Sequence, residues 1–160
     1  MTRLWGWGKK GERIVEYAPH GHWMTTTYLA AMRSTGLFAP LVIDGALNGE
    51  IFRGYVQQHL APQLQSGDIV LMDNLPSHKV SGVSEAIRSA GAELVYLPPY
   101  SPDKNPIEMV FSKVKNEIRK RAPRTKADCD RLCGDSLDWF TMTECYNYIR
   151  HAGYARQQSS

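Results

Sequence analysis

The sequence predicts an α/β fold in which a parallel or mixed sheet lies between flanking helices. Residues 69–72 (IVLM) are a short apolar run without alternation, as in a strand that is buried on both faces, and residues 94–97 (LVYL) are a second apolar run. The segment between them has room for a helix from about Val80 to Ala90, which Gly91 would end. Strand, helix and strand in this order build a parallel pair through a crossover connection.

Further elements are predicted before this unit. Residues 23–32 and 37–43 are rich in Thr, aromatic and aliphatic side chains and are joined by Ser-Thr-Gly, which predicts a β-hairpin. Asn48 suits the cap of a helix that continues to Gln65 with an apolar stripe at helical spacing. Residues 12–17 are predicted to form a short strand.

Three helices are predicted in the second half of the chain. Asn105 is a candidate cap for the first, with Pro106 in its first turn and Glu108 three residues after the cap. Thr125 and Thr141 are followed by acids in positions typical of helix entries, so we expect two further helices there.

Composition indicates a single cytoplasmic domain. The chain has 160 residues, of which 42% are hydrophobic, and no apolar stretch approaches the roughly 20 residues of a membrane helix. The N-terminus lacks a secretory signal. Cys129, Cys133 and Cys145 are odd in number, which favours reduced thiols, and a zinc site at Cys-x-x-x-Cys lacks a second ligand pair. We expect one domain over residues 1–156 and a disordered tail at 157–160.

Two carboxylates stand where a reaction site is expected. Asp73 directly follows the apolar run 69–72, and ligands of open α/β sheets gather at the carboxyl ends of strands. Glu108 lies at the predicted start of a helix. Each acid alone also has a structural explanation, because Asp73-Asn74 can form a turn and Glu108 can complete an Asn-x-x-Glu capping box. Taken together, Asp73 and Glu108 favour a catalytic role over a purely structural one.

Longer strings surround these acids: residues 71–78 (LMDNLPSH), 97–108 (LPPYSPDKNPIE), and 1–8 (MTRLWGWG) with Gly11. Over about residues 1–152, they resemble the DDE transposases of the mariner superfamily, in particular the bacterial insertion sequence 630 family. The resemblance implies a ribonuclease H-like mixed sheet with flanking helices. It also implies that Asp73 and Glu108 are catalytic and bind metal.

The family carries one more catalytic aspartate, on a first strand that precedes the segment matching residues 1–11. We expect this strand to be missing from the sequence, so that the domain is incomplete at its N-terminus. In a ribonuclease H-like sheet the missing strand would be central, between the hairpin and the strand that ends at Asp73. Its loss would open a gap in the hydrogen-bond ladder and expose strand edges.

Metal binding explains why such a site needs acids. Two divalent ions roughly 3.5–4 Å apart can activate water or a 3′-hydroxyl and neutralise the leaving oxygen of a phosphodiester. Carboxylates and substrate phosphates are the ligands that Mg²⁺ prefers. The resemblance implies that Asp73 bridges two ions, Mg²⁺ or Mn²⁺, and that Glu108 holds one of them in the intact enzyme. With two acids only, we expect this chain alone to bind metal weakly and to be inactive or nearly so.

A local excess of positive charge follows Glu108. Residues 109–126 contain seven Lys or Arg and one acid, although the whole chain carries only +3. Glu108, Lys115 and Arg119 fall on one flank of the predicted helix. Such a strip suits a DNA backbone, whereas a solvated helix face is the alternative. The candidate DNA-binding residues are Asn74, His78, Lys113, Lys115, Arg119, Lys120 and Arg124.

Asn74 and His78 each have two interpretations. Asn74 could orient a carboxylate or a water, or it could be an ordinary turn residue. His78 could contact the scissile phosphate, or it could cap the following helix. Both positions belong to the string that resembles the transposase family, which favours a role at the site.

The leading hypothesis is a transposase catalytic domain, whose intact enzyme hydrolyses phosphodiesters at element ends and joins the 3′-hydroxyl to target DNA. Expected partners are double-stranded DNA and either a second copy or a full-length transposase at the bacterial nucleoid. The alternative is a non-catalytic DNA-binding or assembly module left from a transposase. A nuclease that recruits Asp44 is disfavoured, because Asp44 follows a hairpin strand and matches no catalytic position of the family.

Overall fold

The computed structural model describes residues 9–11 and 25–154. In chain order its strands and α-helices are β1 (Thr26–Arg33), β2 (Gly36–Asp44), α1 (Gly49–Tyr55), β3 (Ile69–Met72), α2 (Val83–Ser89), β4 (Glu93–Tyr96), α3 (Ile107–Arg121), α4 (Lys126–Asp135) and α5 (Met142–His151). None of the described helices is long and apolar enough to cross a membrane. The predicted strand at 12–17, the string at 1–8 and the tail at 157–160 lie outside the described residues.

The strands form two pairs. β1 and β2 are antiparallel, and β3 and β4 are parallel with α2 in the connection between them. The predicted hairpin and the predicted strand, helix, strand unit are therefore confirmed. Among the described residues, the two pairs share no ladder hydrogen bonds, so each is a separate two-stranded sheet.

The prediction that β3 is buried on both faces is wrong. One face packs on the core through alternate residues, whereas Ile69 on the other face is 63% exposed and Val95 is 38% exposed. Side chains alternate between the two faces of a strand, and this two-stranded sheet is covered on one side only. The apolar residues on the covered face are Val70, Met72, Leu94 and Tyr96.

A bulge bends the hairpin. The register changes between Leu29 and Ala31 on β1, where two residues of β2, Ala39 and Pro40, stand opposite a single residue. Ala39 is buried and has a φ of +49°. Its carbonyl accepts a hydrogen bond of 2.9 Å from the buried hydroxyl of Tyr55 on α1. This bond joins the bulge to the helix that covers the hairpin.

The first core lies between α1, α2 and the two strand pairs. Asn48 caps α1 as predicted, because its Oδ1 accepts from the backbone N–H of Ile51 at 2.9 Å. The helix does not run regularly to Gln65, however. After Tyr55 it continues as a π-helical turn and a 3₁₀ turn, because Pro62 has no backbone N–H to donate to a helical ladder.

The second core joins α3 to α4 and α5. The predicted apolar stripe of α3 is confirmed, with Val110, Val114 and Ile118 buried. Thr125 and Thr141 cap α4 and α5 as predicted. Cys133 and Cys145 are buried as free thiols in this core, and burial raises the pKa of Cys133 to about 12. The remaining buried members are Leu132 and Phe140.

Candidate metal and DNA site

Asp73 lies at the carboxyl end of β3, where the sequence predicted it. The backbone N–H of Leu97 donates to the carbonyl of Met72 at 2.8 Å, so the parallel pairing continues up to the residue before Asp73. The side chain of Asp73 is 36% exposed, and its Oδ1 accepts a long hydrogen bond of 3.4 Å from the backbone N–H of Leu75. The carboxylate is therefore held at the strand end but remains accessible.

His78 ends a short 3₁₀ turn that follows Asp73. Its ring stacks on Phe52 of α1 with centroids 4.0 Å apart, and its carbonyl accepts from the hydroxyl of Tyr96 at 3.0 Å. The buried Nδ1 lies against Oδ1 of Asp73, although the contact lacks the geometry of a hydrogen bond. These contacts hold the imidazole beside the carboxylate.

His78 does not cap the following helix, so that interpretation is wrong. Gly82 occupies the N-cap position of α2 with a φ of +93°, a conformation that glycine adopts without strain. Its backbone N–H donates to Oε2 of Glu85 at 2.9 Å. The loop after the 3₁₀ turn separates His78 from the helix start.

Asn74 presents an unsatisfied acceptor beside Asp73. Its Oδ1 is buried and has no hydrogen-bond partner in the described part of the chain. Buried polar atoms without partners are uncommon in folded proteins, and each one calls for an explanation. This oxygen is enclosed by the protein, and Asn74 does not line the cavity that contains Asp73 and Glu108.

Glu108 lies in the first turn of α3 and is exposed. The prediction that Asn105 caps this helix is wrong, because Pro106 is the N-cap residue and no side chain caps it. Asn105 instead continues the preceding 3₁₀ turn, with its N–H bonded to the carbonyl of Pro102 at 3.0 Å. Glu108 is therefore not part of a capping box.

One cavity of about 610 Å³ contains both acids in its lining. Asp73, His78, Asn105 and Glu108 are among the residues that line it, together with residues of β1, α1 and β3. The two acids that the sequence singled out belong to different elements but line the same cavity. Lys115, Arg119 and the other basic candidates are not part of the lining.

The same cavity separates the two strand pairs. Consecutive residues of β1 and of β3 line it, whereas a cavity above the face of a strand is lined by alternate residues only. Residues of both strands line the cavity, and among the described residues no ladder hydrogen bond joins the two pairs. Arg33 and Asp68 bridge the gap with an ion pair of 2.6 Å. Hydrogen bonds from the backbone of Gln65 and from Arg33 lower the pKa of Asp68.

A third acid, Asp68, also lines the cavity, but it is paired with Arg33. In the part of the chain that the structure describes, no cluster of three or more His, Cys, Asp or Glu is arranged to hold a metal ion. Asp44 does not line the cavity and instead pairs with Lys126 at 2.8 Å. The structure therefore gives no support to a nuclease that recruits Asp44.

The basic residues after Glu108 differ in their contacts. Lys115 and Arg124 are exposed and have no ion-pair partner among the described residues. Arg119 donates to Asn116 at 3.1 Å, and Lys120 pairs with Glu117 at 2.6 Å, both on the helix surface. These cations remain accessible to an external phosphate.

Lys113 is partly buried at the edge of the second core. Its Nζ lies 2.8 Å from both carboxylate oxygens of Glu144 on α5 and 2.8 Å from the carbonyl of Trp139. Tyr148 donates a further bond of 2.7 Å to Glu144. Burial alone would raise the pKa of Glu144, but the bonds from Lys113 and Tyr148 outweigh it and lower the pKa below the usual 4.5.

This ion pair gives a pH-dependent contribution to stability. Because the folded pKa of Glu144 is lowered, the contribution is complete above about pH 4.5 and is lost as the pH falls through the folded value. We expect Glu144→Gln to reduce the stability at pH 7 and to flatten its fall between about pH 5 and pH 3, measured by urea unfolding. Glu93→Gln, which changes an exposed acid, is the control, and an equal flattening there would contradict the assignment.

Comparison with solved structures identifies the fold. The chain superimposes on the Mos1 mariner paired end complex with Mn at a TM-score of 0.71 and 16% identity, over 92% of this chain and 46% of that one. The chain superimposes on the Mos1 Strand Transfer Complex at a TM-score of 0.73 and 15% identity, over 94% of this chain and 46% of that one. For the catalytic domain of Mos1 mariner transposase the TM-score is 0.64 and the identity is 13%, over 81% of this chain and 74% of that one. The fold is the ribonuclease H-like fold of a transposase catalytic domain.

The family follows from the sequence. A model of the DDE superfamily endonucleases matches residues 1–130, and the chain therefore belongs to this family. No curated protein matches its sequence significantly. The chain spans about half the length of the paired-end and strand-transfer Mos1 chains that it matches. The narrower assignment to the insertion sequence 630 family stays a prediction.

Sequence reasoning missed the residues that support the site. Phe52 and Tyr96 hold His78 from two other elements, and neither was predicted to be near it. Phe52 belongs to the apolar stripe of α1, and this pattern indicates burial without naming the neighbour. The motif string around Glu108 contains Asn105, yet its place in the cavity lining depends on the turn that precedes α3.

Proposed function

We propose that this chain supplies part of a divalent-metal-dependent site that cleaves and joins DNA strands in transposition. The observation that carries the proposal is the shared cavity, which has Asp73 and Glu108 in its lining although they come from a strand end and a helix start. Membership of the DDE endonucleases supports it. The Mos1 structures with transposon ends, with Mg and with Mn support the same activity.

The donor chemistry fits a hard cation. Asp73 and Glu108 offer carboxylate oxygens, and both line the same cavity. Asp73 and Glu108 would hold the divalent metal, Mg²⁺ or Mn²⁺, on which this chemistry depends. When bound, the metal would activate water or a 3′-hydroxyl and neutralise the leaving oxygen.

The other residues of the site have positioning roles. His78, fixed by Phe52 and Tyr96, limits the orientations open to the Asp73 carboxylate. Lys115, Arg119 and Arg124 would bind the DNA backbone beyond Glu108, because phosphate contacts place the duplex without reading its sequence. Lys113 would contribute less than these residues, since Glu144 already neutralises it.

The domain boundary is also a proposal. The family model ends at residue 130, whereas the second core continues through Phe140 and Cys145 to α5. Since α3 buries its apolar stripe against α4 and α5, we propose that the folded unit extends to α5 at least.

Metal binding tests the proposal directly. We expect the chain to bind Mn²⁺ weakly, with millimolar or weaker affinity, measured from the relaxation of water protons, because two carboxylates alone are a poor ligand set. Asp73→Asn and Glu108→Gln should each reduce the affinity by about tenfold or more, since each removes a charged ligand. Asp103→Asn, in the exposed turn before α3, is the matched control.

Equal losses in the control would contradict a local site, as would wild-type Mn²⁺ binding in both site variants. A second function, a non-catalytic DNA-binding or assembly module, is favoured by the absence of a metal-holding cluster of three or more His, Cys, Asp or Glu among the described residues. That function predicts salt-sensitive DNA binding that needs no divalent ion and survives Glu108→Gln.

A further inference from the structure

Tyr100 has an unusual combination of backbone and side-chain environment. It lies in the connector between β4 and α3, and its side chain is fully exposed. Its φ is +56°, in the left-handed region that bulky L residues rarely adopt. The side chain therefore gains nothing from burial, while the backbone conformation costs free energy that glycine or asparagine would largely avoid.

The connector is rigid enough to fix the position of this ring. Pro98, Pro99 and Pro102 restrict the backbone on both sides of Tyr100. Past the tyrosine, the N–H of Lys104 donates to the carbonyl of Ser101 at 3.1 Å and closes a 3₁₀ turn. The aromatic ring is thus presented to solvent from a constrained loop.

This loop joins the two acids of the candidate site. It begins at Leu97, whose N–H is bonded to the residue before Asp73, and it ends at Asn105, whose carbonyl accepts from the N–H of Glu108 at 3.1 Å. Tyr100 therefore stands on the segment that leads from one carboxylate to the other. Strained, exposed residues in such segments are candidates for direct contact with a ligand.

We propose that Tyr100 stacks on an unpaired base of a DNA strand that is bound at Asp73 and Glu108. The inference rests on the proposed function and adds to it a contact that holds a base rather than a phosphate. A planar, uncharged ring matches the face of a base, and such stacking tolerates any sequence. The contact would hold the strand end in place while the basic flank of α3 binds the duplex.

The test uses the full chain and a short DNA duplex with a five-nucleotide single-stranded extension, with 2-aminopurine placed at each position of the extension in turn. We expect the fluorescence to be quenched at one or two positions on binding. Tyr100→Ala should abolish this quench and weaken binding of the extended duplex by about 5- to 100-fold. Tyr100→Phe should keep both, because it keeps the ring.

Three controls make the result specific. Tyr146→Ala removes a partly exposed ring on α5 and should change neither signal. A blunt duplex should bind wild type and Tyr100→Ala equally. Tyr100→Gly should melt at the wild-type temperature or higher, because glycine suits a positive φ. A lower melting temperature would show that the ring is packed and would overturn the inference.

The outcomes separate this inference from the function on which it rests. Wild-type binding of the extended duplex without any quench, or with an unchanged affinity in Tyr100→Ala, overturns the stacking role alone. Such a result would favour an apolar protein partner as the ligand of the ring. A wild-type chain that binds neither duplex overturns both proposals.

Discussion

Replacing Lys115, Arg119 and Arg124 together by glutamine is expected to weaken binding to duplex DNA by about 10²-fold at 0.1 M salt. Each phosphate contact contributes about 0.9 to the slope of the logarithm of affinity against the logarithm of salt concentration. Loss of three contacts should therefore lower this slope by about 3. Fluorescence anisotropy with a labelled duplex at several salt concentrations measures both quantities.

The matched control changes three exposed basic residues elsewhere, Arg88 on α2, Arg131 on α4 and Arg150 on α5. It alters the net charge equally, so any general electrostatic effect appears in both variants. We expect the control to reduce the slope by less than about 1. Equal losses in the two variants would mean that the positive charge of α3 is not a local binding surface.

Ile87→Ala is expected to lower the free energy of unfolding by about 2–4 kcal/mol, which is a large share of a small domain's stability. Ile87 of α2 is completely buried in the core that joins α1 to both strand pairs. The truncation removes apolar contacts and leaves a cavity between elements that are fixed by their neighbours. Urea unfolding monitored by circular dichroism gives the value.

A graded series separates packing from helix propensity at this position. Ile87→Val should cost about 0.5–1.5 kcal/mol, because it removes one methylene group. Arg88→Ala changes the next, exposed residue of the same helix and should alter the stability by less than about 0.5 kcal/mol. A similar loss in Arg88→Ala would show that the effect is not specific to the buried side chain, because alanine has a higher helix propensity than arginine or isoleucine.

The place of Asp73 could be predicted because the apolar run before it ends abruptly. Hydrophobic pattern and a single polar residue are local signals, and they located the strand end and the stripe of α3 correctly. The exposure of Ile69 could not be predicted in the same way. An apolar run without alternation looks the same whether its second face is covered or open, and coverage depends on the rest of the sheet.

Two other features have different causes, one local and one remote. Asn105 has good capping chemistry, but it belongs to the turn that begins at Pro102, and the helix starts at Pro106. The stack of His78 on Phe52 joins elements that are remote in sequence, and pattern analysis identifies each as apolar or polar without giving its partner. Most of the contacts that hold the candidate site likewise join elements that are remote in sequence.

The gap between β1 and β3 determines how the first half of the fold holds together. No described ladder crosses it, so the hairpin and the parallel pair are joined by the side chains of the first core and by the ion pair of Arg33 with Asp68. Packing is not directional in the way that a hydrogen-bonded sheet is. We therefore expect hydrogen exchange to show the two pairs opening separately, each with its own free energy, before the shared core is lost.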